Sequence, residues 1–240
     1  MTGITAVGGI TTTGSQLSGW TGTLSVSPVS VGDLFIAASY VQSASIHYTA
    51  MSGGGVTTWQ HVGGPFSGTS GGMSVDLWMG VVTATGTSTI TGTGSSSLSG
   101  VNNGIAVQEL TLGGPGIWSV DGSAGTLSNA SSTTLPMPTL TPSSAGEVYF
   151  GVAMCLANSP SNGAVTSPAG YVTSQLLWNF SDQIFLFNPS LGTGPQTPVM
   201  ATRASAAVSW SIAALVKGVL PSNNLQLRVI SQAVNRASSF

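Results

Sequence analysis

Six carboxylates, two imidazoles and one thiol carry most of the titratable chemistry of this 240-residue chain. The acids are Asp33, Asp76, Glu109, Asp121, Glu147 and Asp182. Hydrolysis of a glycoside needs two of them as a pair, one donating a proton and one attacking or activating water. No pair stands out. Asp33 and Glu147 each follow a glycine at a strand start, the place of a turn hydrogen-bond acceptor. Asp76 and Asp182 fall near two further strand starts, Glu109 inside a strand and Asp121 in a loop. Gly68-Thr69-Ser70-Gly71-Gly72 is spelled like a nucleophile elbow. That motif needs a strand, a sharp turn, a helix and a later histidine. Here His47 and His61 both precede Ser70, and no helical pattern follows it. The chain reads as a non-enzyme.

Metal ligation has equally little to work with. His47 and His61 stand fourteen residues apart with no Cys or Asp cluster at ligand spacing. A loop calcium site around Asp121 would have one carboxylate. No metal and no cofactor is expected. Asn129-Ala130-Ser131 and Asn179-Phe180-Ser181 match glycosylation sequons, which matter only on a secretory route. Cys155, the sole cysteine, excludes an intrachain disulfide and reads as a buried residue of the apolar run Val152–Leu156. Among the aromatics, Tyr48, Trp59 and His61 flank the loop Gly53-Gly54-Gly55, where rings could stack on sugars. The competing reading packs Trp59 against the edge of the fold. Trp78 and Trp210 lie within strands and read as core.

Short apolar or alternating runs, bounded by Gly, Pro, Ser and Asn, must position these residues. They predict strands at Gly22–Ser27, Asp33–Val41, Val75–Thr83, Thr87–Thr91, Gly104–Leu112, Thr133–Leu140, Glu147–Leu156, Tyr171–Leu177, Gln183–Asn188 and Ala206–Val216. Turns are expected at Ser52–Gly55, Gly63–Pro65 and Gly113–Pro115. Almost no segment before residue 220 carries a helical apolar stripe. Many short strands separated by turns predict an all-β sandwich. The chain also repeats itself. Val31-Gly32-Asp33-Leu34 is echoed by Ala145-Gly146-Glu147-Val148, and Trp59 after a Gly-rich loop by Tyr171 after Pro168-Ala169-Gly170. Val75–Met79 matches Asp182–Leu186, which sets Leu77 on Ile184, and Gly104–Val107 matches Ser211–Ala214, which sets Ile105 on Ile212. The expected fold is a jelly-roll-like antiparallel β-sandwich with an internal pseudo-two-fold repeat. Residues 1–220 form one domain, with half-repeats at about 20–114 and 133–220. The stretch Pro115–Ser132 connects the halves.

Charged residues make up 4% of the chain, against about 25% in an average soluble domain. At 41% hydrophobic it can still bury a core. A net charge of −2 gives little repulsion between copies, which favours association. Four Lys and Arg residues provide no basic patch for nucleic acid or a membrane surface. The start Met1-Thr2-Gly3-Ile4 lacks the features of a signal peptide. After Pro221-Ser222-Asn223-Asn224 the pattern changes. Residues 221–240 read as a C-terminal arm, with Leu225, Leu227, Arg228, Val229 and Arg236 as contacts to a neighbouring subunit.

Four motifs in this order carry a resemblance over roughly residues 20–220. They are Gly-Asp-Leu before an apolar strand, an aromatic after a Gly/Pro loop, the strand pair LWMGVVTATGTSTIT, and the closing strand SWSIAALV. The set resembles β-sandwich domains of bacteriophage minor tail proteins and surface adhesins, particularly of phages infecting actinobacteria. The resemblance implies a virion structural protein of the tail or outer surface, made in the host cytoplasm. Its partners would be other virion proteins, copies of itself and host-surface glycans, and it implies no catalytic residue. A capsid decoration protein and a dedicated carbohydrate-binding module are the alternatives.

Overall fold

The computed structural model describes residues 3–13, 19–68, 72–156, 165–177, 181–200 and 207–221. All of the elements among them are β-strands. In chain order these are β1 (Thr5–Thr12), β2 (Thr21–Val26), β3 (Leu34–Val41), β4 (Tyr48–Gly53), β5 (Val56–Gly68), β6 (Met73–Val82), β7 (Ser88–Gly94) and β8 (Asn103–Thr111). The second half holds β9 (Ile117–Ser132), β10 (Leu135–Pro136), β11 (Val148–Leu156), β12 (Val172–Leu177), β13 (Ser181–Asn188), β14 (Val199–Met200) and β15 (Ala207–Val219). They form an eight-stranded sheet, β1-β8-β3-β6-β5-β4-β7-β2, a five-stranded sheet, β12-β13-β11-β15-β9, and the ribbon β10-β14. Every pairing is antiparallel.

The two sheets face one another across an inner core that includes Leu34, Ile36, Leu77, Phe150, Phe185, Trp210 and Ile212. The larger sheet also curls over itself. Strands β2, β4 and β7 return above β3, β6 and β8 and enclose Phe35, Trp78, Ile90, Ile105 and Val107 in a second core. On the far side of the smaller sheet, β10, β14 and their loops cover Tyr149, Cys155, Leu186 and Leu215. Strands β3, β6 and β8 are thus buried on both faces, which explains their unbroken apolar runs.

The halves share one topology. β3 lies between β8 and β6, as β11 lies between β15 and β13. Likewise β1 pairs with β8 as β9 with β15, β5 with β6 as β12 with β13, and β2 with β7 as β10 with β14. Among the described strands β4 alone lacks a counterpart. Register sharpens the match: Ala38 sits between Leu77 and Ala106, and Val152 between Phe185 and Ile212, all six in the inner core. The repeat read from the sequence is therefore correct in its strands and wrong by one residue in two of them. Leu77 corresponds to Phe185 rather than Ile184, and Ile212 to Ala106 rather than Ile105. A one-residue slip turns a side chain to the opposite face, and Ile105 does lie in the second core while Ile212 lies in the inner one.

Three local expectations also change. Residues 117–132, expected within the connection, form the sixteen-residue β9 along β15. Gly63 to Pro65 is a bulge inside β5 rather than a turn between strands. The expected strand Thr133–Leu140 shortens to Leu135–Pro136 plus a bridge from Leu140 to Gln196.

Candidate functional site

The three proposed sugar-stacking residues come from β4 and β5, but they do not share an open surface. Tyr48 is 1% exposed, and its hydroxyl donates to Asn103 Oδ1 at 2.9 Å. Gly92 makes room for its ring, since a Cβ there would stand 2.7 Å from two ring carbons. Burial pushes its phenol well above the ordinary range. Tyr48 is therefore a core residue, and the open hairpin glycines had suggested more exposure than it has. Trp59 stacks on Phe35, with ring centres 6.4 Å apart and planes at 10°, and its indole donates to Gly53 O at 3.0 Å. This is the packing reading of Trp59. Tyr171 and Tyr149 repeat the contact in the second half, centres 5.6 Å apart.

His61 retains solvent access, its side chain 39% exposed. Its Nε2 lies 3.0 Å from Asp76 Oδ1, and its ring leans on Trp78 at 4.5 Å. Asp76 is buried, also accepts the Tyr48 backbone N–H, and faces Ser39 across the β3–β6 ladder. Burial outweighs the downward pull of the pairing with His61 and leaves its pKa raised to about 6. A His–Asp pair is two thirds of a nucleophile-activating triad. Among the described residues, however, no hydroxyl or thiol is hydrogen-bonded to His61. Ser39 Oγ instead takes the indole N–H of Trp78 at 3.0 Å. Ser70 lies outside the described residues.

The other acids hold turns and strand ends together. Glu147 Oε1 accepts the Ser144 N–H at 2.8 Å and lies 2.9 Å from Ser144 Oγ, the turn-acceptor role read from its position after a glycine. Asp121 accepts the Ser143 N–H at 2.8 Å and Lys217 Nζ at 2.6 Å. Those bonds hold its carboxyl down at about 2 and leave it occupied by protein partners. Among the described side chains no three His, Cys, Asp or Glu converge as a metal would require. The Asp182 side chain lies outside the described set.

Sequence reasoning missed one pair. The β3–β8 ladder sets Phe35 opposite Glu109 and thereby brings Asp33, just before β3, against the Glu109 carboxyl. Glu109 accepts the Val29 N–H at 2.8 Å and a second bond from the Ser30 backbone. Burial first, and the neighbouring Asp33 after it, raise its pKa. Separated by 76 positions, the two acids carry no local signal; register alone unites them. Glu109 also lines a cleft of about 410 Å³ between the free edges of β1 and β2, with Val7, Val26, Val29, Phe35 and Val107.

No family model matches the sequence. No curated protein matches it either. Among solved structures, a chain in the atomic structure of Sulfolobus turreted icosahedral virus aligns over 94% of this chain and 97% of that chain. The identity is 14% and the TM-score 0.27, which does not establish a common fold. Trp78 and Trp210, read as core from the sequence, are buried in the second and the inner core. Trp118 is buried too, donating its indole N–H to Gly32 O at 2.8 Å. Leu225, Leu227, Arg228, Val229 and Arg236 lie outside the described residues.

Proposed function

We propose that this chain is a structural protein of a bacteriophage virion, a minor tail component that acts by assembly and surface contact rather than catalysis. The observation that carries the reading is the placement of the repeated motifs. Val31-Gly32-Asp33-Leu34 and Ala145-Gly146-Glu147-Val148 begin the central strands of two sheets with one topology, in a single sandwich. The motif set resembling phage tail β-sandwich domains is thus the framework of the fold. The acids support the non-catalytic part, because Asp76, Glu109, Asp121 and Glu147 all accept hydrogen bonds from the protein itself. In this reading residues 1–220 are the sandwich domain and residues 221–240 the arm that binds neighbours. Any glycan contact falls to Trp59 and His61, which keep accessible surface beside the Gly53–Gly55 hairpin.

Antibodies against the purified protein, applied to intact particles, test the reading directly. Labelling of the tail supports it. Labelling of the shell replaces it with a capsid decoration protein, and absence from particles overturns it. Release of reducing ends from host envelope polysaccharide, abolished by replacing one acid, would overturn the non-catalytic part.

A further inference from the structure

The cleft between β1 and β2 is a seam where the curled eight-stranded sheet fails to close. Among the described strands each of these is paired on one side only, β1 with β8 and β2 with β7. A free strand edge presents unpaired N–H and C=O groups and readily accepts an added strand. The space between the two edges is lined by valines and Phe35 interleaved with the hydroxyls of Ser25, Ser27 and Thr87, and by Glu109.

Two further features meet at one end of this seam. The first is the acid pair: Asp33 and Glu109 are 2% and 7% exposed. Lys217, the one cation among the described residues, is held by Asp121. The second is apolar surface. Val29, Val31, Ile117, Val219 and Leu220 are five of the eight large apolar side chains exposed in the described structure. They cluster: Val29 is tied to Glu109, Ile117 pairs with Val219, Leu220 lies by Gly114, and Pro115 sits against Gly32 beside Val31. Exposed apolar surface concentrated in this way marks an interaction site.

The described residues end here, at Val219-Leu220-Pro221. Residues 222–240 follow, containing Arg228 and Arg236 and no acid. Within them Leu225-Gln226-Leu227-Arg228-Val229 alternates as a strand does, and six extended residues reach about 20 Å, most of the length of β1.

We propose that residues 225–230 of a second copy of this chain dock in the seam between β1 and β2, with an arginine of that arm meeting the Asp33–Glu109 pair. The inference rests on the assembly reading above and specifies its contact. The last described residues before the arm, Val219 to Pro221, lie at the same end of the molecule as the acceptor seam, so two copies can exchange arms across a two-fold axis, the self-complementary arrangement that dimers favour.

Full-length Ser25→Cys, on the β2 lip, and full-length Leu227→Cys, on the arm, are purified separately, mixed and oxidised. The native Cys155 is buried and does not compete. A mixed disulfide between the two variants should form at least tenfold faster than between Leu227→Cys and a Ser190→Cys control. Adding Arg228→Glu and Arg236→Glu to the arm should slow it, without touching the sandwich. A rate equal to the control overturns the proposal, and so does a Ser25→Cys/Leu227→Cys double variant that crosslinks only within one chain. Particle labelling without crosslinking would leave the virion reading standing and remove this one; crosslinking without particle labelling would do the reverse.

Discussion

At the scale of single residues, the half-repeats provide paired comparisons within one molecule. Gly32 and Gly146 both precede a central strand with positive φ, 92° and 86°. A Cβ on Gly32 would come 2.5 Å from Pro115 Cα, whereas one on Gly146 meets nothing within 4 Å. Gly146→Ala should therefore lose only the cost of a left-handed L-residue, about 1–2 kcal/mol. Gly32→Ala should lose more, because a backbone must also move, and urea unfolding of the two variants measures the difference. Asp76 gives a pH effect of defined sign. Its folded pKa of about 6 lies above the ordinary 3.8, so the folded state holds the proton more tightly than the unfolded one. The resulting stability is complete below about pH 4 and is lost as pH rises through about 6. A shift of this size corresponds to roughly 3 kcal/mol as an upper bound. Asp76→Asn should flatten the stability profile between pH 4 and 6. A profile unchanged from the wild type would mean that His61 offsets the burial of Asp76 completely.

At the scale of strands, the sequence was most legible where both faces of a strand are buried. Leu34–Val41, Met73–Val82 and Val148–Leu156 announce themselves as apolar runs, and their equivalence across the halves was readable from motif order. Register was not readable, because with both faces apolar a one-residue slip leaves the pattern almost unchanged. That is why the motif order sets Leu77 on Ile184 instead of Phe185. β9 escapes for the opposite reason: Ile117–Ser132 is rich in Ser and Gly, and it is a strand because β15 offers it an edge. The acid pair Asp33–Glu109 was hidden with the register that creates it, and Tyr48 was misjudged because glycines in its hairpin suggested an open loop. The central position of β11 leads to a prediction. Cys155 is fully buried and its strand is bonded on both sides, to β13 and β15. Its reaction with a thiol reagent should be slow and should accelerate with urea in parallel with global unfolding. Labelling much faster than global unfolding would show that this strand opens locally.

For the molecule as a whole, charge and the open seam bear on the same question. A chain with a net charge of −2 has little electrostatic protection against contact with its own kind. Its described strands also leave two sheet edges facing one another across a cleft, a feature that proteins kept monomeric usually blunt or cover. A cleft of this size lined with valines and a phenylalanine gains roughly 25 cal/mol for each Å² of apolar surface that a docked arm removes from water, less the cost of ordering the arm. Every described residue of the three cores precedes Pro221. Deleting residues 222–240 should accordingly leave the urea midpoint of the isolated sandwich nearly unchanged, within about 0.5 kcal/mol, as for surface changes away from packed features. The same deletion should reduce incorporation of the protein into particles, measured by its ratio to the major virion proteins after purification. A truncated chain that incorporates at the full-length ratio would show that the arm is dispensable for assembly. A truncated chain that unfolds at markedly lower urea would show that the arm closes the seam of its own molecule, making it a strand of its own sandwich rather than a link between copies.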